Sequence, residues 1–272
     1  MNDHLRESGL RSFPLLPVLG QPAPAPEAQD LPQTVLITGA SGTIGKILTA
    51  AWADRYELIL LDSNPLPNSR IEEADLSQWD EEWLSHFDEA DVVVHLAAHA
   101  DPTAAWPDMV QSNLDALNHV FLATAFAGID RLVFASSHRV MGGHHDRDRP
   151  ITPDLSPQPE GASGASKLMG ERLGIALAKA QGLTFVGLRI GYVQRGENQA
   201  ESLPDDAKRQ LWLSNADLID LFTRAVEADL EPGSHVVLNA MSANQGGHWP
   251  VDETTAKLGY RPQDNAFAAR GK

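Results

Sequence analysis

One stretch constrains the fold more than any other. An apolar run, Thr34-Val35-Leu36-Ile37, leads into Thr38-Gly39-Ala40-Ser41-Gly42-Thr43-Ile44-Gly45, and an amphipathic segment through Leu48 and Trp52 follows. This reads as strand, glycine turn and helix. Glycines at three-residue spacing serve a tight turn, a backbone close to a phosphate, and a helix packed hard on its strand. The free N–H groups at the helix start then face an anion. A glycine turn alone is a weak signal. Its complement is Asp62, which closes the next apolar run, Leu58-Ile59-Leu60-Leu61. It sits at about the twenty-residue offset where a carboxylate takes a ribose 2′-hydroxyl. That carboxylate would repel a 2′-phosphate, so the pattern points to NAD rather than NADP.

The alternation continues downstream. Residues 91–96 form a third buried strand ending in the small pair Ala97-Ala98, which lets a ligand approach. A long helix is expected over residues 106–127, with Val110, Leu114, Leu117 and Phe121 facing the sheet and Asn113 beside that stripe. A fourth strand, residues 131–135, runs into Ser136-Ser137. A polar loop from His138 to Gly161, a helix over 163–181 and a strand over 184–190 follow. Strand alternating with helix implies an α/β fold, a doubly wound parallel Rossmann-type sheet with right-handed crossovers. Ligands bind at the carboxyl ends of such strands. Gly39, Asp62, Ala97, Ser137 and Gly191 all fall at strand ends and so converge on one edge.

The chain divides into a disordered Pro/Ala-rich arm (1–32), an NAD-binding Rossmann domain (33–191) and a small C-terminal substrate lobe (192–272). The lobe is expected to hold a helix near 215–227, a strand at 235–238 and a short helix at 253–258. At 272 residues the chain suits one large domain with such an appendage. A formal net charge of −16 argues against nucleic acid and anionic membranes as partners. There is no Cys, which excludes disulfides, thiolate metal sites and Cys nucleophiles. No apolar run reaches membrane-span length, and residues 13–19 are too short and proline-broken for a signal peptide. A cytoplasmic protein is the expectation.

Four side chains carry candidate chemistry. Ser137, at a strand end, can hydrogen-bond a substrate oxygen. Lys167 lies one helical turn after Ser163 and projects from the same face. His138 follows Ser137 and has an unperturbed pKa of about 6.5. Tyr192 lies just past a strand end at the ligand edge. His144-His145-Asp146 with His138 also raises a metal reading, but adjacent His side chains diverge and no carboxylate pattern orients the rings, so no metal is expected. Gly170 and Gly174 allow close packing of the Lys167 helix, on another helix or on the chain's own sheet.

Thr38-Gly-Ala-Ser-Gly-Thr-Ile-Gly45, His95-Leu-Ala-Ala98, Phe134-Ala-Ser-Ser137, Gly164-Ala-Ser-Lys167, Leu188-Arg-Ile-Gly191 and Leu258-Gly-Tyr-Arg-Pro262 together resemble the extended short-chain dehydrogenase/reductase family. Within it they are most similar to the NAD-dependent epimerase/dehydratase branch near the uronate dehydrogenases. The resemblance runs from about residue 33 to 267. It implies that Thr43 and Ile44 lie against the pyrophosphate, with Gly39, Ser41, Gly42 and Gly45 also binding the cofactor. Asp62 would take the adenosine ribose, and Asp75-Leu76 would flank the adenine. Leu96, Ala97 and Ala98 would pass along the cofactor, and Asn113 would support the active-site backbone. Ser137 would be the catalytic hydroxyl and Lys167 the catalytic lysine, holding the nicotinamide ribose. His138, Tyr192 and either Lys208 or Arg209 resemble substrate contacts, and Trp212-Leu-Ser-Asn-Ala-Asp217 resembles that branch's motif opening the lobe helix. A sugar or sugar-acid substrate and a homodimer are implied, the dimer through the helices ending near residues 127 and 181.

One position departs from the family. Where its pattern has Tyr-x-x-x-Lys, the Tyr position is Ser163. The chemistry needs a group that exchanges a proton near neutral pH, and an aliphatic hydroxyl is far less acidic than a phenol. Of three tyrosines, only Tyr192 lies at the ligand edge. The substitute base is therefore His138, Tyr192 or a water on Ser163. The alternative is a catalytically silent NAD-binding sensor or assembly protein.

Overall fold

The computed structural model describes residues 33–268 apart from 68, 100, 102 and 145–148. The chain runs β1 (Thr34–Thr38), α1 (Thr43–Trp52), β2 (Glu57–Asp62), β3 (Glu72–Glu73), α2 (Glu81–Leu84), β4 (Val92–His95), α3 (Trp106–Val110), α4 (Ala116–Phe126) and β5 (Arg131–Ser137). It continues with α5 (Gly161–Gln181), β6 (Thr184–Ile190), α6 (Asp206–Leu211), α7 (Asn215–Glu227), β7 (His235–Ala240) and α8 (Asp252–Leu258). The strands form one parallel sheet of seven, ordered β3-β2-β1-β4-β5-β6-β7. The order reverses between β1 and β4, the switch point where a doubly wound sheet opens its ligand crevice. The α/β doubly wound reading holds.

Two cores flank the sheet. One packs Leu48, Trp52, Leu218, Leu221 and Phe222 of α1 and α7 onto Val35, Ile37, Val133 and Val186. The other packs Leu117, Val120, Phe121 and Leu177 of α4 and α5 onto Leu36, Val93, Phe134 and Phe185. β4 and β6 are buried along their whole length, as strands covered on both faces must be. Gly170 and Gly174 serve this second core. A Cβ on Gly170 would lie 2.6 Å from the Phe134 ring, and one on Gly174 would lie 2.1 Å from Phe185. Gly170 serves both packings, since its Cβ would also lie 2.7 Å from Leu117 of α4, while Gly174 serves the chain's own sheet.

Three expectations shift. β7 pairs with β6 from Phe185↔His235 to Ile190↔Ala240, and α7 lies against α1, where the Trp52 indole donates to Thr223 Oγ1 at 2.9 Å. The helix and strand assigned to a separate lobe thus extend the main layers, and the described residues fall in one compact unit. The helix over 106–127 is broken by a π turn at Gln111–Asp115. Its extra residue rotates the face, so Met109, Asn113, Leu117, Val120 and Phe121 are buried while Val110 and Leu114 are half-buried. The loop after β5 is wound over His138–His144 into a short 3₁₀ segment that buries Val140 and Met141.

Candidate functional site

The glycine turn is built as its spacing requires. Gly39 has φ +75°, and a Cβ there would sit 2.7 Å from the Ala97 nitrogen. A Cβ on Gly45 would meet the carbonyl oxygens of Gly39 at 2.4 Å and Ala40 at 2.6 Å. Gly42 has only the Gly39 oxygen near, at 3.2 Å, so its outer side is open. One cleft gathers Gly39, Ser41, Gly42, Asp62, Asp75, Leu76, Leu96, Ala97 and Ala98, and adds His99 and Gln111, which sequence reasoning did not single out. Thr43, Ile44 and Gly45 form the first turn of α1 behind that wall. Asp62 accepts from the Ser41 N–H at 2.9 Å and the Asn64 N–H at 2.9 Å. The carboxylate therefore fixes the glycine turn as well as facing the cleft.

The chain fits a dinucleotide there. Among the described residues the Ser41 hydroxyl is buried without a hydrogen-bond partner, the glycine cradle leaves room that side chains would fill, and an acid terminates β2. Among the polar groups an anion meets here, the α1 N-terminus carries free N–H groups and no acidic residue in its first turn.

The candidate proton-handling residues lie at the ends of β5 and β6. Ser137 Oγ accepts from the Arg139 N–H at 3.2 Å. His138 donates from Nδ1 to the Ile190 carbonyl at 3.2 Å. A carbonyl can only accept, so Nδ1 carries the hydrogen and Nε2 the free lone pair. Burial, with smaller contributions from Arg139 and Lys208, lowers the His138 pKa to about 4. The imidazole is neutral at pH 7. A Cβ on Gly164 would lie 2.5 Å from the Arg139 carbonyl oxygen, so the backbone after His138 presses on the first turn of α5 beside Ser163.

Asn113 links these parts. Its Oδ1 accepts from the His99 N–H at 2.7 Å, and its Nδ2 donates to Ser166 Oγ at 3.0 Å. Ser166 Oγ then donates to the Ser163 carbonyl at 2.9 Å. The π turn brings Asn113 onto this buried line, in keeping with π turns' frequency at functional sites. Lys167 is buried with its Nζ 4.8 Å from the Phe134 ring centroid. Among the described residues no carboxylate pairs with it, and burial lowers its pKa to about 8. A network outside the sequence reading holds α5 in place: Glu171 accepts from Ser136 Oγ at 2.6 Å and from Arg189 at 2.9 Å twice, all buried.

Other candidates separate. Lys208 lies with Nζ 4.7 Å over the Tyr192 ring, on the His138 side of the site. Arg209 is buried and spends its guanidinium on the carbonyls of Ala200 and Ala266 at 2.8 Å each. Of the two basic residues, Arg209 is committed to these carbonyls, whereas Lys208 forms no ion pair among the described residues. Tyr192 is half-buried and exchanges backbone bonds with the segment around Trp212. The Trp212–Asp217 motif is structural: Ser214 caps α7 by accepting from the Asp217 N–H at 3.0 Å, and the Asp217 carboxylate accepts from Gln263 and Asp264. His144 bonds the Ser156 carbonyl at 2.9 Å; His145 and Asp146 lie outside the described residues. Among the described residues no three His, Asp or Glu side chains converge as a metal site.

A glycine cradle under an acid-terminated strand, at the switch point of a doubly wound sheet, defines a dinucleotide-binding protein. The chain belongs to the NAD dependent epimerase/dehydratase family, whose model matches residues 35–211, and NAD is its cofactor. It is similar to the L-arabinose 1-dehydrogenase (NAD(P)(+)) of Haloferax volcanii, 34% identical over 252 residues covering 85% of this chain and 97% of that one. It is similar also to the uronate dehydrogenase of Agrobacterium fabrum, 30% identical over 240 residues, with 87% and 86% covered. The crystal structure of uronate dehydrogenase from Agrobacterium tumefaciens superposes with a TM-score of 0.72 at 26% identity, over 88% of this chain and 87% of that one. Among the described residues no helix is long and apolar enough to cross a membrane.

Proposed function

We propose that this chain is an NAD-dependent dehydrogenase that oxidises the hydroxyl-bearing carbon of an aldose or uronic acid. The observation that carries the reading is His138, the residue after Ser137 at the end of β5, tautomer-fixed by the Ile190 carbonyl so that Nε2 is left unprotonated. When bound, NAD supplies the ring that accepts the hydride. Ser137 binds and orients the substrate hydroxyl. His138 Nε2 takes its proton, a role the family gives to the Tyr that Ser163 replaces. Of the other two candidates, Tyr192 has its ring under Lys208, and Ser163 can only hold a water. Lys167 holds the nicotinamide ribose, and Asp62 the adenosine ribose, with Leu76 and Asp75 at the adenine. Lys208 is the cation available to an acidic sugar. Residues 33–191 carry the cofactor, and the coil segments beyond 192 shape the substrate side.

The protein is further read as a cytoplasmic homodimer joined through α4 and α5, which pack on each other and expose Phe126 and Met169. Light scattering giving a monomer ends that part. Ser163 also favours a second reading, a silent NAD binder. The experiment that decides is NADH formation from NAD with a panel of uronic acids and aldoses. Turnover supports the dehydrogenase. NAD binding without turnover on any member of the panel supports the silent reading and ends the first.

A further inference from the structure

Trp249 is held more firmly than a coil residue needs. On its N-terminal side, the His248 carbonyl accepts from the Ile151 N–H at 2.6 Å. On its C-terminal side, the Pro250 carbonyl accepts from Asn239 Nδ2 at 3.1 Å. Asn239 is wholly buried in β7 and also donates to the Ile151 carbonyl at 2.8 Å, while its own carbonyl accepts from Thr254 Oγ1 at 2.7 Å. The indole packs on the small core of Val140, Met141 and Ile151. Its ring stands edge-on to His138, with centroids 6.2 Å apart and planes at 87°. It stays half-buried. The indoles of Trp52, Trp83 and Trp212 each donate a hydrogen bond, whereas that of Trp249 has no acceptor among the described residues.

We propose that Trp249 is a positioning and specificity residue of the substrate site, its indole forming the wall on which a sugar ring lies beside His138. This rests on the dehydrogenase reading above and deepens it. The edge contact holds the imidazole on one side while the Ile190 carbonyl holds it on the other. The indole face offers an apolar surface to the C–H groups of a pyranose, and its N–H is free for a sugar hydroxyl. Because Asn239 and Ile151 tether both flanks, the wall is preformed, so little ordering accompanies binding.

The test uses the full chain loaded with NAD, as wild type, Trp249→Phe and Trp249→Ala, with D-galacturonate and L-arabinose as probes. The expected result is an unchanged Kd for NAD, with the sugar KM raised about threefold in Trp249→Phe and roughly tenfold or more in Trp249→Ala. Sugar should quench the indole emission of NAD-loaded wild type, and Trp249→Phe should abolish that quenching. A purely structural role would move the melting temperature and leave this KM and quenching pattern alone. If the sugars turn over and KM stays put in both variants, the wall is overturned and the dehydrogenase stands. Quenching that disappears in Trp249→Phe without any NADH formation supports the wall and ends the activity. Neither turnover nor quenching in NAD-loaded wild type overturns both. Should Trp249→Ala fail to fold, Trp249→Phe decides.

Discussion

The two halves of the candidate site are built from different materials. On the proposed cofactor side, at the ends of β1, β2 and β4, recognition would rest on backbone: a left-handed glycine, free N–H groups and one carboxylate that fixes the turn it serves. On the proton side, at the ends of β5 and β6, it rests on side chains whose chemistry is individual: Ser137, His138, Ser163 and Lys167. The backbone half tolerates little change, because a single Cβ would collide with carbonyl oxygens. The side-chain half can exchange one proton carrier for another while the strands that hold it stay fixed. A chain can therefore keep its hold on NAD intact while the group that moves the proton is replaced.

The sharpest break of that contrast is Gly45→Val. Its Cβ would lie 2.4 Å from the Gly39 carbonyl oxygen. Calorimetry should give an NAD Kd raised about a hundredfold or more, near 3 kcal/mol of lost fit. Affinity within a few-fold of wild type would mean that the cradle does not hold the cofactor. Asp62→Ala comes next. It removes the proposed ribose acceptor and the bond that fixes the Ser41 N–H, so NAD affinity should fall roughly tenfold to a hundredfold, the worth of charge-assisted hydrogen bonds. If relaxed repulsion of a 2′-phosphate is the other consequence, NADP binding should improve relative to NAD in the same variant.

A different kind of effect, on stability rather than affinity, touches both halves. His95 lies wholly buried under the cofactor side, its Nδ1 2.7 Å from Thr38 Oγ1, and burial lowers its pKa to about 3. His138 on the proton side is lowered to about 4. Both are neutral when folded and take up a proton near pH 6.5 when unfolded. The unfolded chain then binds more protons, so stability falls as pH drops below 6.5, by about 1.4 kcal/mol per pH unit for each group. Urea denaturation between pH 6.5 and 4.5 should show this slope, flattened by one proton in His95→Gln. An unaltered slope in that variant would mean that His95 titrates when folded.

The sequence made the cofactor half legible because each of its parts is local. Gly39, Gly42 and Gly45 carry their spacing with them, and Asp62 is located by the apolar run it ends. The sheet's alternation is equally local, down to β6, except for the two-residue β3, which is too short to carry a pattern and pairs only with Leu61 and Asp62. The proton half was legible as a set of residues and not as an arrangement. Lys208 and Arg209 are neighbours in sequence, and only packing sends Arg209 to the Ala200 and Ala266 carbonyls. The π turn that buries Asn113 leaves a helical pattern one residue out of phase, which a 3.6-residue period cannot register. Trp249 lies in coil more than a hundred residues after His138, with no periodicity to tie the two. β7 was recognised as a strand, but its partner β6 depends on topology that no local run contains.

The central claim is that proton transfer has passed to His138 while the hold on NAD is unchanged. It is tested most directly by measuring, on His138→Gln, both the NAD Kd and the rate of NADH formation with a sugar that wild type oxidises. The account predicts an NAD Kd within about twofold of wild type and a kcat lower by roughly a hundredfold or more, the usual worth of a general base. A His138→Gln enzyme that keeps its rate would contradict it.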